Sequence, residues 1–349
     1  MEIADAQQLW VPKPGWLNTA SYGLPPRPAW EALQQALADW RVGATSWEPW
    51  GESTELARQS FARLVGVPVT DVFQGSTVSA AISLVATALP DGARVLVPDV
   101  EFTSNVFPWH VHADRGVSVT TAPVEKFLES IEPGYDVVAF SAVQSSTGDV
   151  ADVAAICAAA REVGSLAVVD ASQAVGWLPV DASVADVFVA STYKWMMSPR
   201  GAAFGYLAPR LRDQVRPVQA GWYAGEDVHA SYYGLPMDLA RDARAFDQSP
   251  AWFSHVGTAP ALEVIEQIGI AAIHEHDVGL ANAFRLGIGL EPSDSAIVSA
   301  DIPGAEAAFA AAGVRAAVRD GRMRASFHVY STSEDVRMAV DALADLVKR

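Results

Sequence analysis

The sequence predicts an α/β fold, a mainly parallel sheet wrapped by helices, with a smaller domain built from the carboxy-terminal part of the chain. Two observations carry this. Short β-rich runs alternate with alanine-rich helical patterns, which is the pattern of a sheet whose strands are joined by helical crossovers. The chain has 349 residues and is 50% hydrophobic, ample for a core but longer than the ~250 to 300 residues at which single cores stop growing, so a large and a smaller domain are expected.

In chain order, residues 28–41 open on a proline and read as a helix, and residues 52–64 are amphipathic. A third helix over 77–89 stops at Pro90-Asp91-Gly92, a turn signal. Strands are predicted at 94–98, 117–121, 137–143, 166–170, 187–191 and 203–207, with an apolar helix over 152–163 between the third and fourth. Residues 219–253 change character. Trp222, Tyr223, Tyr232, Tyr233, Trp252 and Phe253 stand among Gly, Pro and Asp without helical spacing, so this stretch reads as a long loop that either shapes a substrate pocket or packs a subunit interface. Helices follow at 259–268 and 270–286, a strand at 296–300, a helix from Gly304, a strand at 322–328 and a closing helix at 333–348. The expected division is a large domain over 18–245 and a small one made of 1–17 with 246–349.

A formal net charge of −17 repels phosphate backbones and anionic lipid surfaces, so neither nucleic acid nor membrane is expected as a partner. The one cysteine, Cys157, lies in a helical pattern and cannot build a disulfide or a zinc cluster within the chain. Residues 1–10 carry Glu2 and Asp5 and lack a basic start and an apolar run, which makes a cytoplasmic location the expectation. His110, His112, His229, His255 and His328 have no metal-ligand spacing, and no metal is expected.

Three segments sit where strands end, the edge at which open parallel sheets bind ligands. Gly75-Ser76-Thr77 runs into a helix: free amides and two hydroxyls there suit a phosphate, and the same residues serve as a plain helix cap. The strand over 166–170 ends in Asp170, with Gln173 three residues on. A carboxylate in that place can hold the protonated nitrogen of a pyridine cofactor, or cap a helix. Then Asp186-Val187-Phe188-Val189-Ala190-Ser191-Thr192-Tyr193-Lys194 delivers a lysine to the sheet edge in apolar surroundings. These disfavour the cation and favour a nucleophilic amine, although a single lysine can also snorkel to the surface.

Together these residues resemble the class V aminotransferase family of fold-type I enzymes dependent on pyridoxal 5′-phosphate (PLP), over nearly the whole chain. The resemblance implies a mostly parallel seven-stranded sheet in the large domain, an α+β small domain, and PLP as cofactor. Ser191, Lys194 and Gly201 match the pattern Ser-x-x-Lys with a glycine close behind, so Lys194 is implied to hold PLP as a Schiff base, with Ser191 and Tyr193 on its phosphate. Gly75, Ser76 and Thr77 match the phosphate loop, Asp170 the partner of the ring nitrogen, and Gln173 that of the ring hydroxyl. Phe102 stands where relatives carry a ring-stacking histidine, and Ser145 where they carry asparagine. Arg324, with Arg322 as its rival, resembles the arginine that binds the substrate carboxylate, and Gly257-Thr258 the element that reaches a neighbouring subunit's phosphate in a homodimer.

Freed Lys194 is then the acid-base group in chemistry on a small amino acid: transamination first, with carbon–sulfur β-lyase or epimerase action as alternatives. A PLP-binding scaffold without catalysis is the reading from another class. Cysteine desulfuration is excluded on the same resemblance, because residues 291–322 hold no cysteine.

Overall fold

The structure, a computed structural model, describes residues 1–347. Lys348, the last residue of the predicted closing helix, lies outside the described residues.

Seven strands form the large sheet: β1 (Val72–Gly75), β2 (Arg94–Pro98), β3 (Ser118–Ala122), β4 (Val137–Ser141), β5 (Leu166–Asp170), β6 (Val187–Ser191) and β7 (Ala203–Leu207). Their spatial order is β1-β7-β6-β5-β4-β2-β3. The run from β6 to β3 is parallel, and β7 lies antiparallel to both β6 and β1. Strands β4, β6 and β7 are buried along their whole length, as expected for a sheet covered on both faces, which is why they read in the sequence as unbroken apolar runs. A second sheet, in order β8-β10-β9, is antiparallel and comprises β8 (Ile297–Ala300), β9 (Ala317–Arg319) and β10 (Arg322–Ser326).

The helices are α1 (Ile3–Ala6), α2 (Arg27–Val42), α3 (Glu48–Leu64), α4 (Val78–Ala88), α5 (Phe107–His110), α6 (Val153–Glu162), α7 (Trp252–Ile268), α8 (Ile270–Gly287), α9 (Ala305–Ala312) and α10 (Ser333–Val347). Helix α7 packs on α2 and α3, and its Leu262, Val264, Ile265 and Ile268 join the larger core, which therefore continues past residue 245. Helices α8, α9 and α10 cover the small sheet around Phe284, Phe309, Phe327 and Leu343. The amino-terminal segment crosses between the two cores, with Trp16 and Asn18 bridging to Arg315 and Ser326 of the small domain.

Several boundaries differ from the sequence expectation. The strand expected over 137–143 ends at Ser141, and the one expected over 322–328 ends at Ser326. Helix α7 begins at Trp252 rather than 259 and carries Pro260 inside it. Among the described residues no single helix is long and apolar enough to cross a membrane.

Candidate active site

Parallel register brings three strand ends together. Ser141 pairs with Asp170, and Asp170 with Val189, two residues before the end of β6 at Ser191. Lys194 follows three residues later, 7% exposed, with its Nζ 5.5 Å from the centre of the Phe102 ring. Asp170, 5% exposed, Lys194 and Ser191 line one cavity of about 110 Å³ with Ser76, Thr77 and Phe102. Tyr193 and Arg200 close one side of it, the Arg200 guanidinium lying 4.7 Å over the Tyr193 ring.

The segment bearing Lys194 is held from both domains. Gly23 donates its N–H to Tyr193 O at 3.0 Å, and a Cβ on Gly23 would sit 1.9 Å from Lys194 O, so only glycine allows this approach. Trp195 donates its indole N–H to Gln173 Oε1 at 2.7 Å, and its carbonyl lies 2.9 Å from His328 Nε2. His328 in turn lies 2.7 Å from Asp277 Oδ2, both side chains fully buried. Met197, a buried non-glycine residue at φ 54°, ends the segment in the left-handed region, the kind of backbone strain that a surrounding structure must enforce.

Burial and neighbouring charge tune the groups. Burial lowers the Lys194 ammonium to about 8; Asp170 opposes this, while Arg324, Arg200 and Arg319 add to it. A pKa near 8 leaves a usable fraction of free amine near neutrality. Burial raises Asp170 above the ordinary carboxylate range, against the pull of Lys194 and of Ser172, whose N–H donates to Asp170 Oδ1 at 2.9 Å. Glu101, partly buried, accepts from Ser141 N at 2.7 Å and Phe102 N at 2.9 Å; burial, with Asp170 nearby, brings it up to about 7.

The hydroxyl end of the cavity fits an anion. Thr77 caps α4 by accepting from Ala80 N at 3.2 Å, so the plain capping role is real, yet Thr77, Ser76 and the first residues of α4 also face the cavity. Amides of a first helical turn, two hydroxyls, Ser191 and the Arg200 cation are donors of the kind a phosphate would need. Gly75 lies behind them: a Cβ there would meet the Gln248 side chain at 3.4 Å, so its smallness serves Gln248 and not the cavity.

Arg324 on β10 is 1% exposed. It donates Nη1 to Ser145 Oγ at 3.1 Å and Nη2 to Ser21 Oγ at 2.8 Å, its Nε has no partner, and no carboxylate faces it among the described residues. Burial lowers its guanidinium to about 10. A buried cation left without a counter-ion marks a place for a bound anion. Arg322 is exposed and turned to Ser299, which leaves Arg324 as the interior arginine.

Three of the expected cofactor residues have other partners in this structure. Gln173 donates to Ala20 O at 2.9 Å and Ser145 Oγ at 3.1 Å and accepts from Trp195, so its amide is a strut between segments with no donor left for a ring hydroxyl. Ser145 is likewise committed, bridging Gln173 and Arg324. Thr258 is fully buried inside α7, its hydroxyl on Ser254 O at 2.8 Å, and Gly257 beside it packs on Pro199, so neither offers an atom to a neighbouring subunit. The tryptophan and tyrosine cluster is also elsewhere: Trp222, Tyr223 and Trp252 pack around Trp47 of the α3 N-terminus, lining no part of the Lys194 cavity.

Sequence reasoning missed Arg200, Ser172, Ser21 and Gln248. Arg200 and Ser172 stood within the segments carrying Lys194 and Asp170 and could have been found there. Ser21 and Gln248 reach the site from 303 residues before Arg324 and 172 residues after Ser76, and nothing local marks them.

Comparison with known proteins agrees with this geometry. The sequence pattern of the class-V aminotransferases matches residues 42–293. The chain is 28% identical over 340 residues to an uncharacterized aminotransferase, YcbU, of Bacillus subtilis, covering 91% of this chain and 90% of that one. It is 27% identical over 397 residues to isopenicillin N epimerase of Streptomyces clavuligerus, covering 98% and 97%. The cysteine desulfurase CsdA of Escherichia coli has the same fold, with a TM-score of 0.85 at 19% identity over 100% of this chain and 99% of that one. With most of its length matched by the family pattern, this chain belongs to the class-V aminotransferase family.

Proposed function

We propose that this chain is a PLP-dependent enzyme acting at the α-carbon of a small amino acid by transamination. The observation that carries the reading is an amine of lowered basicity and a buried carboxylate in one cavity at the edge of the large sheet, with an uncompensated buried arginine on β10 of the small sheet close enough to act on that amine. PLP is the family's cofactor, and the residues fit it. Lys194 supplies the amine for its aldehyde, Asp170 the partner for its ring nitrogen, Phe102 an apolar face, and Ser76, Thr77, Ser191, Tyr193 and Arg200 the phosphate cradle. When bound, the cofactor draws electrons from the substrate α-carbon, so that its proton becomes removable.

This chain's residues do the rest. Arg324 binds the substrate carboxylate and so orients the α-carbon toward Lys194. Lys194 Nζ takes the α-proton and returns it, and a pKa near 8 suits both halves of that task. Asp170 keeps its charge available for the ring nitrogen through Lys194 and the Ser172 N–H. Among the described residues Lys194 is the only amine or imidazole lining the cavity, and the Phe102 ring that lines it too carries no proton. That favours single-base transamination over epimerisation, which needs a second proton carrier. Persulfide chemistry has no nucleophile: Cys157 lies buried on α6, its thiol pushed by burial up to about 12.

The test is absorbance of the protein loaded with PLP, borohydride fixation of the cofactor onto Lys194, and a panel of amino acids. An oxo-acid formed together with pyridoxamine phosphate supports transamination. Pyruvate with a released thiol would replace it by lyase action, and loss of chirality alone by epimerisation. Absence of fixation at Lys194, with the Lys194→Ala variant as control, would remove the reading altogether. Homodimerisation is part of the proposal on the strength of exposed apolar side chains such as Tyr233, Leu235 and Met237, and light scattering checks it. So is a cytoplasmic location, which cell fractionation checks.

A further inference from the structure

Arg319 has no role in the scheme above. It ends β9, paired in register with Arg322 across the Asp320-Gly321 turn, whose φ values of 48° and 73° are those of a tight hairpin. Its Nη1 donates to Val318 O at 2.8 Å, and its Nη2 to Ser21 Oγ at 3.1 Å. The same Ser21 oxygen takes Nη2 of Arg324 at 2.8 Å. Two guanidinium groups thus converge on one neutral hydroxyl, and among the described residues neither has a carboxylate partner, in a chain with 41 acidic and 24 basic residues. Burial lowers the basicity of Arg324 and the charge of Arg319 lowers it further, and both arginines reach Lys194 electrostatically. One carboxylate satisfies one arginine fork. Like charges gathered without a counter-ion call for a second anion.

We propose that Arg319 and Ser21 form a second anion subsite beside Arg324, so that the substrate is an amino acid whose side chain itself bears an acid group, a carboxylate or sulfinate. This rests on the reading of Arg324 as the site of the α-carboxylate. Arg319 is exposed, so its contribution is that of a solvated charge-assisted hydrogen bond, about 10-fold in affinity.

The probes are succinate and butyrate, alike in length and differing in one carboxylate. Binding is measured by calorimetry on the protein with and without PLP, in wild type, Arg319→Gln and Arg322→Gln. Succinate binding about 10-fold tighter than butyrate in wild type and in Arg322→Gln, with the preference lost in Arg319→Gln and butyrate affinity unchanged, supports the proposal. Equal affinities in wild type, equal weakening of both ligands in Arg319→Gln, or loss of the preference in Arg322→Gln would each overturn it. In steady-state assays the ratio of kcat/KM for L-aspartate over L-alanine should fall by a similar factor in Arg319→Gln alone. Failure here with borohydride fixation at Lys194 intact sinks the subsite and leaves the cofactor reading in place, whereas failed fixation sinks the latter without touching the calorimetry.

Discussion

Replacing Arg324 by methionine separates a binding residue from a structural one. The guanidinium is 1% exposed, and burial, aided by the charge of Arg319, lowers it to about 10; each pH unit of lost basicity is worth about 1.4 kcal/mol. Burying the cation therefore costs the folded protein about 3 kcal/mol. The sign follows from its being a base with depressed pKa: below pH 10 both folded and unfolded chains carry the proton, so the penalty is complete at neutrality and is relieved only above pH 10. Methionine of similar length removes the charge and forfeits three hydrogen bonds, to Ser145 O and Oγ and to Ser21 Oγ, each worth about 1.5 kcal/mol at the low end for a charged group. The two contributions nearly cancel, so the expected result in urea unfolding of the cofactor-free protein is a variant within about 2 kcal/mol of wild type. Activity should fall: losing a charged, two-pronged contact to the substrate carboxylate lowers kcat/KM by about 10³-fold. Butyrate should raise the melting temperature of wild type and not of the variant. If Arg324→Met instead lost more than 2 kcal/mol, the arginine would be a strut, and the argument from its missing counter-ion would fail.

Asp170→Asn removes the charge that holds Lys194 up, so the amine should fall below about 8. The rate of PLP capture by the unloaded protein, which needs free amine and rises with pH through that value, should then turn at lower pH, and an upward move would contradict the pairing. Turnover in the same variant should drop by about 10² to 10³-fold, the loss seen when a preorganised group that stabilises charge in the transition state is removed. Asp247→Ala strips Arg58 of its buried partner and the Gln74 N–H of its acceptor at 2.8 Å, just before the phosphate cradle. A stability loss of about 3 to 5 kcal/mol by urea unfolding is expected, and a change below 1 would deny that pair its role. His328→Asn unpairs Asp277 and frees Trp195 O, so kcat should fall with KM held, measured well below the melting temperature; an unchanged kcat would make the contact merely structural. Cys157→Ala should keep full activity in the amino-acid panel, since a tenfold loss would reopen thiol chemistry.

Strands β2, β5, β6 and β7 were legible to the residue because each is an apolar run whose side chains are nearly all buried, with a polar residue or turn at its end. Strands β1 and β9 were not. Val-Phe-Gln-Gly and Ala-Val-Arg are too short for periodicity to register, and each owes its existence to antiparallel pairing with a distant strand or across a hairpin. The cost of missing β9 was Arg319, which only the fold places next to Ser21.

The misreading of Thr258 has a different cause, and it bears on assembly. Gly257, Thr258 and Pro260 in sequence signal a helix boundary, since proline lacks an N–H and disfavours helical backbone just before it. Tertiary packing overrides the signal: α7 runs through Pro260 because its Val256, Leu262 and Ile265 are buried against α2 and α3. A residue that by resemblance would reach a neighbouring subunit's phosphate is thereby placed in the buried middle of a helix. If a second subunit adds to the proposed phosphate site it would do so through other atoms, and that site has an arginine of its own, Arg200, with no ion-pair partner among the described residues. Were the phosphate held by Arg200 within one chain, cofactor retention would be independent of association. Dilution into the monomer range should leave PLP bound in wild type and release it in Arg200→Gln; release from wild type on dilution would show that a neighbouring subunit supplies the missing grip.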